Sequence, residues 1–301
     1  MRHTEISWTD HTFNAWIGCT QSAEGCKNCY AKAQQRYFKV NWGTALQGGI
    51  RRRTSRDYWK HIERWDATCA TYDRTEVVFV NSMSDFFEDW PGLIFDQHGQ
   101  ALVKPPNPAE WNPNTYQAVD HRTFMNDPQG WHFVRDTDLR RDMYRQMLKA
   151  QHLEFIILTK RPENIVKHWL EAAGDGPTFL PNIRIGYSVA TQADVAKIEH
   201  LRTAAPFTRC LFISAEPLLE EIHIERHLGG RDGINWVIVG GESGPKHRPV
   251  PISAICSVAD QCQAAGVPVW VKQDSLWKPE QQGRIPDHYW QMKQHPQPAL
   301  A

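Results

Sequence analysis

The sequence predicts an α/β fold built on a parallel sheet, a partial or full parallel (β/α) barrel. Three observations predict it. Short apolar runs of five to seven residues recur along the chain without alternation, as in strands buried on both faces. Helical patterns separate most of these runs, so strand and helix take turns. The C-terminal ends of the runs are rich in Ser, Asp, Lys and Glu, and parallel barrels collect their chemistry at those ends.

The elements follow in order. Residues 13–19 predict the first strand, and residues 28–40, rich in Ala, Gln, Lys and Arg, a helix after it. Residues 77–82 predict the second strand, ending in Asn81-Ser82-Met83-Ser84-Asp85. Residues 91–130 hold six of the 19 prolines and little periodicity, which predicts an insertion of lid or binding-loop type. Residues 137–151 place Leu139, Met143, Met147 and Leu148 at helical spacing, opposite Asp138 and Asp142. The strand at 154–159 runs into Lys160 and Arg161, and Pro162 suits the first turn of a helix at 161–173. A strand at 183–189 carries Ser188 and precedes a helix at 191–203. The strand at 209–214 ends in Ser214-Ala215-Glu216-Pro217, and that at 236–240 in Gly240-Gly241-Glu242-Ser243-Gly244. A helix at 252–265 and a strand at 267–272, ending in Lys272-Gln273-Asp274, complete one domain over residues 1–275. Residues 276–301 are expected to form a polar, Pro/Gln-rich tail, loosely ordered at its end.

Composition narrows the function. The 301 residues carry 34 Lys+Arg against 34 Asp+Glu, so any nucleic-acid contact must be local. Residues 1–8 lack the apolar core of a signal peptide, and no run approaches the roughly 18 apolar residues of a membrane span. Cys69, Cys210, Cys256 and Cys262 are scattered, which is no disulfide framework and suits a reducing cytoplasm. The run Gly241 to Pro245 has proline where a nucleophile elbow needs its second glycine. It also lacks the Lys-Ser/Thr of a phosphate loop.

The remaining three cysteines carry the chemistry. Cys19, Cys26 and Cys29 follow a Cys-x6-Cys-x2-Cys spacing. Three thiolates can hold a four-iron cluster and leave one iron open to a second ligand. The alternative is zinc, with His3 or His11 as the fourth ligand of a binding module that is not an enzyme. At the strand ends, Lys160 and Glu216 could be a plain ion pair, and Ser188 a hydroxyl satisfied by backbone. The run Arg51-Arg52-Arg53 to His61 mixes cations with aromatics. It reads as a surface for phosphates and bases, or as a helix start whose charges face water.

The loop Gly18-Cys19 to Gly25-Cys26-Lys-Asn28-Cys29-Tyr30-Ala31 resembles the cluster loop of radical SAM enzymes, nearest the spore photoproduct lyase-like branch. It departs from the usual Cys-x3-Cys-x2-Cys by three extra residues in the first gap, and has Asn28 where an aromatic often stands. From about Ser7 to Gln273 the chain also resembles a phage- and prophage-associated three-cysteine family of largely uncharacterised function. The shared segments are Ser82-Met-Ser-Asp-Phe-Phe, Leu158-Thr-Lys-Arg-Pro162, Ser214-Ala-Glu-Pro217, Gly240-Gly-Glu-Ser243 and Lys272-Gln273. That family's protein is often encoded beside a separate partner protein.

The resemblance implies a radical SAM barrel. Cys19, Cys26 and Cys29 would bind a [4Fe–4S] cluster, with S-adenosylmethionine on the fourth iron and an external electron donor. Tyr30 would lie near the adenine, and Ser84, beside Asp85, with Lys160 and Ser188 would contact the methionyl group or ribose. Glu216 is assigned to the ribose or a substrate amine, and Glu242, Lys272 and Gln273 to the substrate side. The expected reaction is reductive cleavage of S-adenosylmethionine and hydrogen abstraction from a nucleobase or nucleic acid, or alternatively from a partner protein.

Overall fold

The computed structural model describes residues 4–111, 113–119 and 132–296. Among the described residues, thirteen strands run in chain order. They are β1 (His11–Phe13), β2 (Trp16–Ile17), β3 (Arg51–Arg53), β4 (Glu76–Val80), β5 (Ile94–Phe95), β6 (Ala101–Lys104) and β7 (Gln117–Val119). After them come β8 (His132–Phe133), β9 (Leu153–Thr159), β10 (Ile183–Ser188), β11 (Cys210–Ala215), β12 (Trp236–Gly240) and β13 (Val269–Gln273). The helices used below are α1 (Tyr30–Ala33), α2 (Gln35–Phe38), α3 (Arg56–Thr71), α4 (Asp136–Lys149) and α5 (Ile165–Ala173).

Seven strands form a parallel sheet in the order β1-β4-β9-β10-β11-β12-β13, curled into a half-barrel. Val78 sits opposite Phe155, Ile157 opposite Ile185, and Ile213 opposite Val237, and the register shifts only between Val239 and Gly240, where β12 meets β13. Two apolar layers explain why the runs do not alternate. One face, with Val78, Phe155, Ile185, Leu211, Val237 and Val269, packs in the large core with the helices. The concave face gathers Trp8, Phe79, Ile156, Phe212, Trp236, Ile238 and Trp270. Gly186 lies on that face because nothing larger fits: a Cβ there would stand 2.2 Å from the Phe212 ring.

The expected tail is part of this layer. The His295 ring lies 5.5 Å from Trp236 and 4.8 Å from Trp270, and Trp236 Nε1 donates to Gln294 O at 2.9 Å. Gln294 and His295 are thus held by the indoles of β12 and β13, and residues 297–301 lie outside the described residues.

Three other expectations are corrected. The first strand pairs with β4 only over His11–Phe13; Trp16–Ile17 leaves the barrel and pairs antiparallel with β3. The single helix expected at 28–40 is two one-turn helices, α1 and α2, the second closed by Lys39 at φ 51°. That turn brings Val40 into a small cluster with Ile17, Ala31 and Met83. The insertion is not structureless: β5, β6 and β7 extend β2 and β3 into a second sheet, with β8 on β6. Its strands of two to four residues are too short to show a period. Residues 112 and 120–131 of the insertion lie outside the described residues. Among the described residues no helix is long and apolar enough to cross a membrane.

Candidate functional site

The C-terminal ends of the parallel strands carry the polar residues singled out in the sequence. Lys160, Ser188, Glu216 and Lys272 continue the concave-face alternation of Ile156, Gly186, Phe212 and Trp270. The cysteine loop crosses this rim. A Cβ on Gly25 would stand 3.2 Å from Ala190 Cβ and 3.5 Å from both Lys160 Cε and Pro217 Cδ. The loop therefore packs on the ends of β9, β10 and β11.

Charged residues from three segments fasten the loop's start. Gly18, at φ 110°, leaves no room for a side chain, since a Cβ would meet Ile50 O at 2.4 Å. Thr20 N donates to Glu88 Oε1 at 2.8 Å. Arg51 forks onto the same carboxylate, Nε to Oε2 and Nη2 to Oε1, both 2.7 Å. Arg161 Nη1 donates to Asp85 Oδ2 at 2.9 Å and lies 3.8 Å from Cys19 Sγ, and Nη2 donates to Thr20 O at 2.5 Å. Burial, then Glu88 and Asp85, push the Cys19 thiol far up, against the pull of Arg161 and Arg51.

Asp85 is the hub of this corner rather than a free ligand. It also accepts from Thr159 Oγ1 at 2.7 Å, Phe87 N at 3.0 Å and Lys160 N at 3.1 Å. Ser84 Oγ donates to Trp16 O at 2.9 Å, and Tyr30 Oη donates to Ser82 O at 2.8 Å. Ser188 Oγ donates to Glu216 O at 3.0 Å. Glu216 is paired with Lys272, not Lys160, and Lys272 Nζ is also 3.8 Å from Glu280. Lys160 keeps an ammonium without an ion pair or side-chain hydrogen bond among the described residues.

Glu242 and Gln273 are held by the protein. Glu242 accepts from Asn28 Nδ2 at 2.9 Å and from Arg248 N, Nε and Nη2 at 2.8, 3.0 and 2.7 Å. Burial would raise its pKa, but the hydrogen bonds from Arg248 and Asn28 prevail and hold it below the ordinary carboxylate range. Arg248 Nη1 reaches Glu24 Oε1 at 2.6 Å, so this group straps the β12 loop to the cysteine loop. Gln273 Nε2 donates to Gly241 O at 2.8 Å and its Oε1 accepts from Glu280 N at 2.9 Å. Sequence reasoning missed Arg51, Glu88, Arg161 and Arg248 as loop supports. Arg161 and Asp85 do fall in quoted segments, but their pairing joins positions far apart in the chain.

The donor set suits a metal group by its chemistry: three free thiols on one loop at one rim, all half-buried. Among the described residues, however, no three His, Cys, Asp or Glu side chains converge on one point. His11, the candidate fourth zinc ligand, is committed elsewhere: Nε2 meets Glu76 Oε2 at 2.6 Å and its ring stacks on Trp65 at 4.1 Å. His3 lies outside the described residues.

Comparison with curated proteins and with solved structures gives no match. Residues 3–97 and 103–297 match a family described as protein of unknown function (DUF5131), and the chain belongs to that family.

Proposed function

We propose that this chain is a radical SAM enzyme. In this reading Cys19, Cys26 and Cys29 hold three irons of a [4Fe–4S] cluster, and S-adenosylmethionine takes the fourth. The observation that carries it is the placement of the three-cysteine loop across the ends of β9–β11, with Gly25 against Lys160, whose ammonium has no partner among the described residues. When bound, the reduced cluster and its cofactor supply one-electron cleavage of the sulfonium and an adenosyl radical that takes hydrogen from the substrate.

The chain's own residues then have definite tasks. Lys160 binds the methionyl carboxylate, as a free ammonium at a rim can. Ser84 and Ser188 spend their hydroxyl protons on backbone carbonyls, so each offers lone pairs to the methionyl ammonium or a ribose hydroxyl. Glu216 and Lys272 are one charged unit facing the same space. Arg51, Glu88 and Arg161 fix Cys19, and the Glu242–Arg248–Glu24 strap keeps the loop seated. The substrate class we favour is a nucleobase or nucleic acid.

The test is anaerobic reconstitution with iron and sulfide, followed by reduction in the presence of S-adenosylmethionine. The reading predicts about four irons per chain and release of 5′-deoxyadenosine, raised by nucleosides or oligonucleotides. A colourless protein carrying stoichiometric zinc and releasing none contradicts it. Release raised only by a partner peptide moves the substrate to protein.

A further inference from the structure

The chain is neutral as a whole, but residues 25–56 hold eight Lys or Arg and no Asp or Glu. The structure divides those eight cations. Arg51 and Arg53 are buried, Arg52 is half-buried, and Arg56 Nη2 donates to Tyr116 O at 2.5 Å. Lys27, Lys32, Arg36 and Lys39 are exposed, and none has an ion pair or side-chain hydrogen bond among the described residues.

These four lie along the cysteine loop and the two short helices that follow it. Ala31 and Phe38 pack into the cluster of Ile17, Val40 and Met83, which sets the inner side of α1 and α2. Lys32, Arg36 and Lys39 repeat the same i, i+4, i+7 spacing one residue on, so they form a neighbouring stripe that faces water. Tyr37 stands inside that stripe. Its ring is 79% exposed and meets Phe38 edge-on at 4.9 Å. At the other end, Lys246 is exposed, and its carbonyl accepts Asn28 Nδ2 at 2.7 Å, between Cys26 and Cys29. The nearby acids are occupied: Glu24 and Glu242 are both paired with Arg248. A track of cations with an open aromatic ring thus runs past the three cysteines.

We propose that this face binds a single strand of nucleic acid, its phosphates on Lys32, Arg36 and Lys39 and a base stacked on Tyr37. Cations repeated along a line match a polyanion, and an exposed ring matches an unpaired base. An anionic lipid surface fits less well, because the exposed large aliphatic of this stretch is Leu46 alone. The inference rests on the radical SAM reading for what happens to the strand, but binding itself needs no cluster.

Fluorescence polarisation of the full chain tests it, before and after reconstitution, with single-stranded DNA and RNA 20-mers, the matching DNA duplex, and phosphatidylserine vesicles. The strand should bind more tightly than the duplex, and log K should fall with log salt at a slope of about −3 for four phosphates. Replacing all three cations (Lys32→Gln, Arg36→Gln, Lys39→Gln) should weaken the strand at least about tenfold and flatten the slope by about 2. Tyr37→Ala should weaken it about fivefold or more and leave the slope unchanged. All four side chains are exposed, so the melting temperatures should match wild type. Lys149→Gln, an exposed charge change where α4 ends before β9, should bind as wild type. No strand binding at about 50 mM salt, wild-type binding by the triple variant or by Tyr37→Ala, preference for the duplex, or binding to the vesicles alone overturns the proposal. A cluster that forms in a protein unable to bind the strand defeats this inference only. A strand bound by a protein that takes up zinc and no iron defeats the radical SAM reading only.

Discussion

Glu216, at the end of β11, is ion-paired with Lys272, on β13, across the intervening strand β12. The pair closes this stretch of the rim and leaves Lys160, the other rim lysine, without a partner among the described residues. Two lysines near one opening thus have different duties.

They should respond differently to mutation. Lys272→Met leaves Glu216 as an uncompensated, mostly buried carboxylate, and should lower unfolding free energy by about 3 kcal/mol. Lys160→Met removes no pair and should stay within about 0.5 kcal/mol of wild type, yet lose S-adenosylmethionine binding. Denaturant melts and equilibrium dialysis of the cofactor check both; equal destabilisation by the two changes would refute the division.

The Cys19 corner rests on Arg51 and Glu88, both buried. Glu88→Gln should cost about 3–5 kcal/mol, because it strips a buried guanidinium of its counter-charge. Cys19→Ser should leave the melt nearly unchanged while iron content after reconstitution collapses. Iron retained in Cys19→Ser would remove this residue from the ligand set.

Glu242 gives the strap a pH signature. Its folded pKa is depressed, so its stabilising share is present above the unfolded value of about 4.3 and is lost as pH falls through the lower folded value. Arg248→Met should flatten that part of the stability–pH curve and raise amide exchange over residues 24–28. An unchanged curve in Arg248→Met would place the acid sensitivity elsewhere.

Gly186→Ala should destabilise by about 1–3 kcal/mol, since its methyl would enter the Phe212 ring. Phe212→Leu, tested alone and together with Gly186→Ala, should show positive coupling in a double-mutant cycle. Simple additivity would mean that the ring moves aside freely.

The parallel sheet was legible in the sequence because both its faces are buried, so each strand reads as an unbroken apolar run. The second sheet was not, since Trp16–Ile17 and Ile94–Phe95 are two residues each. The rim was legible as a set of polar strand ends, including Lys160, Ser188 and Glu216. Which lysine meets Glu216 depends on sheet register, and the 56 residues separating Glu216 from Lys272 hide it. The arginine run misled in a similar way. Its composition suggested an exposed face, but Arg51 is buried on Glu88 and Arg53 in a cavity, with Trp90 and Trp59 beneath them.

The most direct test of the central claim is low-temperature EPR of the anaerobically reconstituted, reduced protein, with and without S-adenosylmethionine. The account predicts a [4Fe–4S]⁺ signal that shifts when the cofactor is added and is absent from Cys26→Ala. A reduced protein without an EPR signal, holding stoichiometric zinc at the same three cysteines, would contradict it.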